Sequence, residues 1–140
     1  MDKLLSLLGL AKKAGRLEAG EEPVGAAARA RDARLILLAS DAADNTVRRA
    51  RHFAEAGACL LAQIPATKDE LGRAVGRSSC AMLAVTDIGF AEAAAKKLAA
   101  LDAERYGETA EKLAVKAARA AERREEQKRH DRNVRRGRRK

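Results

Sequence analysis

Arginine and lysine crowd the C-terminal end of this 140-residue chain. Phosphate is the group that such side chains meet best. Arg123, Arg124, Lys128, Arg129, Arg132, Arg135, Arg136, Arg138, Arg139 and Lys140 all fall within the last eighteen positions. Residues 116–140 carry twelve Lys/Arg against four acids, a net +8 of the formal +9 of the whole chain. Residues 1–115, with 17 basic and 16 acidic side chains, are close to neutral. The excess charge thus sits in one segment, and the partner it implies is a polyanion. Arginine outnumbers lysine there and suits the planar geometry of phosphate, which favours nucleic acid over an anionic membrane surface.

Other chemistries find no residues to carry them. His52 and His130 stand among charged neighbours on helical or basic stretches and serve as polar surface. No His-x-x-x-His or Cys-x-x-Cys spacing occurs, so no metal is expected. Cys59 and Cys80 lie in apolar stretches, where a thiol acts as a small apolar core residue. Two cysteines suit a reducing, cytoplasmic setting. Gly72-Arg73-Ala74-Val75-Gly76 lacks the Gly-Lys-Ser/Thr ending of a phosphate-cradling loop. Asp44 and Asp69 sit where helix starts favour acids, which accounts for them without catalysis. No enzyme activity, cofactor or small-molecule substrate is expected. The chain has no Trp and only three aromatic residues, Phe53, Phe90 and Tyr106, too few for base-stacking platforms. The longest apolar runs are short, so no membrane span is predicted.

These residues are positioned by an alternation of elements. Leu4, Leu5, Leu7, Leu8 and Ala11 have helical spacing, with Lys12 and Lys13 in the last turn and Gly15 as the stop. Arg16–Ala19 is a short strand, and Gly20-Glu21-Glu22-Pro23 opens a helix that runs to about Arg31. The apolar run Arg34–Ser40 reads as a strand covered on both faces. A helix over Asp41–Glu55, stopped by Gly57, and a strand over Ala58–Ile64 follow. Thr67-Lys68-Asp69-Glu70 is a capping box, opening a short helix that ends at Gly76. Cys80–Thr86 is the next strand and roughly Phe90–Leu101 the next helix. Strands alternating with helices specify a three-layer α/β/α sandwich around a mixed sheet of about four strands.

Twenty-four of the 27 Leu, Ile, Val and Phe residues fall in 1–101. Two units are therefore expected: a sandwich over 1–101, and a basic Ala/Arg-rich helical tail over 102–140. Residues 108–130 lack Pro and Gly and hold the four-apart pairs Glu108–Lys112 and Glu125–Arg129. The stripe Ala110, Leu113, Ala114, Ala117 and Ala121 is narrow and mostly of small side chains, so this helix is expected to project or to dock loosely. Asn133–Lys140 is expected to be disordered without a partner.

Five blocks in order resemble the bacterial YlxQ-like proteins, of the superfamily that includes the large-subunit ribosomal proteins seven-Ae and thirty-e. They are Leu8–Gly15, Gly20-Glu21-Glu22, Leu37–Ala42 with Asn45-Thr46, Lys68–Gly76 and Ala84–Phe90. The resemblance covers about residues 3–97. It implies an α/β/α sandwich that binds structured RNA and is not itself an enzyme. In kink-turn-binding members, the helix after the first strand opens with a Gly-Thr-Asn-Glu-like segment, and a lysine follows. Such a helix start offers free N–H groups to phosphate, and Asn and Glu read exposed purine edges. Here Gly20 matches the glycine and Glu21 the threonine. Glu22 stands in place of Asn, Pro23 in place of Glu, and Ala26 in place of the lysine. A second loop of that site matches Arg77-Ser78-Ser79-Cys80.

The expected RNA-facing edge of the sandwich joins Lys12, Lys13, Arg16, Gly20, Glu21, Glu22, Arg73, Arg77, Ser78 and Ser79. Arg29, Arg31 and Arg34 read as a solvated helix end. The expected partner is RNA, ribosomal above all, or the ribosome itself. The sandwich selects an RNA shape, and the tail supplies contacts to phosphate that carry little sequence choice. The alternative is a protein–protein adaptor whose basic tail anchors it non-specifically to RNA. A third reading, the substrate-binding part of an RNA-modifying enzyme, lacks room for a catalytic domain.

Overall fold

The computed structural model describes residues 1–138 of the chain. Its elements are α1 (Asp2–Lys13), β1 (Leu17–Ala19), α2 (Glu21–Arg29), β2 (Leu35–Leu38), α3 (Asp44–Gly57), β3 (Leu60–Gln63), α4 (Lys68–Val75), β4 (Met82–Val85), α5 (Ile88–Leu101) and α6 (Ala103–Arg138). The strands form one mixed sheet in the order β1-β4-β2-β3. β4 lies antiparallel to both β1 and β2, and β3 lies parallel to β2. The central pair, β2 and β4, is buried at every position, as a continuous apolar run requires of a strand covered on two sides.

Side chains of successive strand residues leave on opposite faces, and the core divides accordingly. Leu35, Leu37, Leu83 and Val85 join Leu4 and Leu8 of α1, Leu71 of α4 and Leu98 of α5. Ile36, Leu38, Met82 and Ala84 join Val24 of α2 and Ala50 and Ala54 of α3. The result is the expected three-layer sandwich.

Element ends follow local chemistry. The capping box forms: the Glu70 N–H donates to Thr67 Oγ1 at 3.2 Å, and the Thr67 N–H donates to Glu70 Oε1 at 3.2 Å. α3 begins at Asp44 rather than Asp41, because the Asp41 carboxylate serves another helix, accepting from the Lys68 N–H at 2.8 Å. α5 begins at Ile88 rather than near Phe90, because Asp87 caps it, accepting from the Phe90 N–H at 2.9 Å.

α6 differs most from expectation. Its first half docks firmly. Tyr106 and Leu113 are buried in the same core as Leu98, and the Tyr106 hydroxyl donates to the Gln63 carbonyl of β3 at 2.7 Å. From Ala121 to Gly137 every side chain is exposed. The helix continues through Asn133–Arg138, where the composition suggested disorder. Interleaved acids sustain it: Glu125 pairs with Lys128 at 3.8 Å, and Gln127 donates to Asp131 at 3.0 Å. Eighteen residues beyond the last dock extend about 27 Å at the α-helical rise. Arg139 and Lys140 lie outside the described residues.

Candidate nucleic-acid interface

The start of α2 is built on backbone geometry. Gly20 has φ 101° and ψ 158°, a conformation only glycine adopts freely. Its N–H donates to the Met82 carbonyl at 2.9 Å, and its carbonyl accepts from the Val24 N–H at 3.1 Å. No side chain caps this helix, and Pro23 brings no N–H, so the Glu21 and Glu22 N–H groups stand at its positive end.

Arg77 is held over the same point. One guanidinium nitrogen donates to the Ala19 carbonyl at 3.2 Å, and both terminal nitrogens lie 3.6 Å from where a Gly20 Cβ would stand. The loop carrying Arg77, Ser78 and Ser79 is seated on Gly72 of α4. A Cβ at Gly72 would come within 2.8 Å of both the Arg77 carbonyl oxygen and the Ser79 nitrogen. The Arg77 N–H donates to the Gly72 carbonyl at 2.7 Å. Ser78 and Ser79 are exposed beside it.

Glu21 and Glu22 part company. The Glu21 carboxylate accepts from Thr46 Oγ1 at 3.3 Å and pairs with Arg49, both on α3. It thus ties α3 to the helix start, while Glu22 remains exposed. Thr46 and Arg49 were missed as site neighbours. The only signal for them is the Asn45-Thr46 block, which gives no hint of a contact to Glu21.

Lys12, Lys13 and Arg73 come together elsewhere, along a cleft between α1 and α4 that also contains Leu10. Burial pushes the Cys80 thiol up, and the charges of Arg77 and then Lys12 oppose it. Cys80 donates to the Met82 carbonyl at 3.2 Å.

Arg16 does not join this edge. Its carbonyl accepts from the Thr86 N–H, past the end of β4, whereas Gly20 bonds Met82 at the start of β4. Arg16 and Gly20 therefore stand at opposite ends of β1. Arg16 faces instead Arg31, Arg34 and the foot of the projecting helix. There too lies Cys59, half-buried just before β3, its thiol pushed up by burial and pulled back by Lys116.

The projecting half of α6 carries Arg123, Arg124, Lys128, Arg129, Arg132, Arg135 and Arg136, all exposed. Among the described residues no group of His, Cys, Asp and Glu could hold a metal ion, and no helix is long and apolar enough to cross a membrane.

A mixed sheet between two helical layers, a glycine-opened helix start and surplus surface cations define a small α/β/α sandwich suited to anions. The matched family model is narrower: the chain belongs to the ribosomal protein L7Ae/L30e/S12e/Gadd45 family, which it matches over residues 2–95. It is 37% identical over 89 residues to the RNA-binding protein YlxQ of Bacillus subtilis (strain 168), covering 61% of this chain and 84% of that protein. It also resembles a solved structure of a protein with unknown function from Bacillus halodurans C. The TM-score is 0.60 at 35% identity, over 71% of this chain and 95% of the other. The family match ends before α6 begins.

Proposed function

We propose that this chain is a non-enzymatic, cytoplasmic RNA-binding protein that associates with ribosomal RNA or the ribosome. The single observation that carries this reading furthest is the convergence at Gly20. The open positive end of α2 and the Arg77 guanidinium meet there, in a member of a family with an RNA-binding relative. Phosphate is the ligand that satisfies both. The sandwich contributes shape selection at this end, with Ser78 and Ser79 as further hydrogen-bonding groups. The projecting helix contributes contacts to phosphate without sequence choice.

The three kink-turn residue types replaced at Glu22, Pro23 and Ala26 narrow what α2 can do. Base reading there falls to backbone N–H groups and to Glu22, because Glu21 is held by Thr46 and Arg49.

A protein partner is the second reading, favoured by Leu10, which is 59% exposed between the cations of the α1–α4 cleft. Co-sedimentation with ribosomal particles, before and after ribonuclease treatment, separates the two. Release by ribonuclease is the expected result. A stable protein complex that survives ribonuclease would support the adaptor and overturn the first reading.

A further inference from the structure

A second cationic cleft, of about 570 Å³, lies at the end of the sheet opposite Gly20. The sandwich supplies Arg16, from the turn before β1, and Arg31 and Arg34, from the turn before β2. α6 supplies Lys116, Arg119 and Arg123 at three- and four-residue spacing, hence on one side of the helix, with Arg124 next to them. All seven are exposed, and none pairs with a carboxylate among the described residues. Asp87 is the only acid of the cleft among the described residues, and it already accepts from the Phe90 N–H.

Two further features point to a ligand. α1 and α2 end in the same hydrogen-bonded motif. In α1, Gly15 N–H bonds Lys12 and Arg16 N–H bonds Ala11; in α2, Arg31 N–H bonds Ala28 and Asp32 N–H bonds Ala27. The left-handed position holds Gly15 at φ 72° in α1 but Arg31 at φ 60° in α2. A cation thus occupies a place where glycine would relieve the backbone. The face of α6 that docks through Tyr106 and Leu113 also continues outward, at seven- and four-residue intervals through Ala117, as Arg124, Lys128 and Arg135, with Asp131 the one acid among them. The cleft therefore opens onto a cationic track suited to a long polyanion rather than a small one.

We propose that this cleft is a second RNA-binding site, holding the phosphate backbone of an RNA duplex between the sandwich and α6. It lies about 13 Å along β1 from Gly20 at the extended-strand rise. The chain can then hold two RNA segments at once, one at each end of the sheet. The proposal rests on the RNA-binding reading above.

The test uses the full chain, a labelled 20-base-pair RNA duplex without a kink-turn, and a separate kink-turn RNA. Amide NMR shifts locate the duplex, and a salt series measures its affinity. The variant carries R31G, R34Q and R119Q; the glycine relaxes a left-handed position, and a melting curve verifies the fold. In the parent chain the duplex should perturb Arg31–Arg34, Ala58–Cys59 and Lys116–Arg124. The triple variant should bind it on the order of ten-fold more weakly, with a log–log salt slope shallower by about 2 to 3. Duplex binding that perturbs only residues beyond Arg124, with unchanged affinity in the variant, would overturn the cleft alone. Parent chain that binds neither RNA would overturn the cleft and the RNA-binding reading together.

Discussion

The two ends of this molecule handle charge in opposite ways. At Gly20 one guanidinium is pinned by a carbonyl, one carboxylate is tied to a neighbouring helix, and the loop between is seated on a glycine with no room to spare. Along the projecting half of α6 no side chain from Ala121 to Gly137 is buried, and the one ion pair among the described residues there, Glu125 with Lys128, is exposed. Fixed groups discriminate between ligand shapes, because a misplaced ligand leaves them unpaired. Exposed surface cations attract any phosphate backbone through counterion release and lose their hold as salt rises. On the proposed reading, selectivity would belong to the sandwich and salt-dependent affinity to the helix.

The largest effect should come from removing the Lys and Arg residues beyond Arg124. A chain ending at Arg124 loses eight of them, and with six in contact with phosphate its log–log salt slope should fall by about 5. Its RNA affinity at low salt should fall on the order of 1,000-fold, while thermal unfolding stays unchanged. A changed melting temperature would show that the distal helix is not independent of the core.

The docked half of α6 should behave in the opposite way. Leu113→Ala empties a fully buried position and should cost about 3 kcal/mol of stability, measured by denaturant unfolding. The distal cations remain, so low-salt RNA affinity at a folded concentration should hold.

Gly20→Ala tests the pinned end. A Cβ at φ 101° should cost about 2 kcal/mol, and the displaced helix start should weaken preference between RNAs more than affinity at low salt. Equal loss on every RNA would argue against a selective role.

Tyr106→Phe removes one buried hydrogen bond and should cost about 1 kcal/mol. It also bears on pH. Burial raises the Tyr106 phenol and both thiols in the folded chain, so the folded state holds these protons more tightly than the unfolded one. Their stability contribution is complete below the ordinary thiol pKa, and it declines as pH rises above about 9 and then 10. The Phe variant should show a shallower alkaline decline.

The sandwich was legible because its signals are local and agree with one another. The apolar run at Leu35–Leu38, the Thr67–Glu70 capping box and the Gly15 and Gly76 stops each mark one element. The recurrence of blocks such as Leu37–Ala42 carried the family. Less legible was anything set by distant partners. Arg16 reads with Gly20 as one edge, yet the three-residue strand between them carries them to opposite ends of the sheet. Arg31 and Arg34 read as a solvated helix end because their neighbours in the cleft come from a helix some 85 residues later. The stripe around Leu113 looked too narrow to dock α6 and did not include Tyr106, because its small residues gave no sign of the close approach that buries both.

The division between a selective sandwich and an electrostatic helix is tested most directly by one comparison. The full chain and the chain ending at Arg124 are each titrated with a kink-turn RNA and with a version whose G·A pairs are replaced, across a salt series. The account predicts a preference for the intact kink-turn that survives truncation and high salt, while absolute affinity and salt slope fall together. Equal binding of both RNAs by the full chain, collapsing as salt rises, would contradict it.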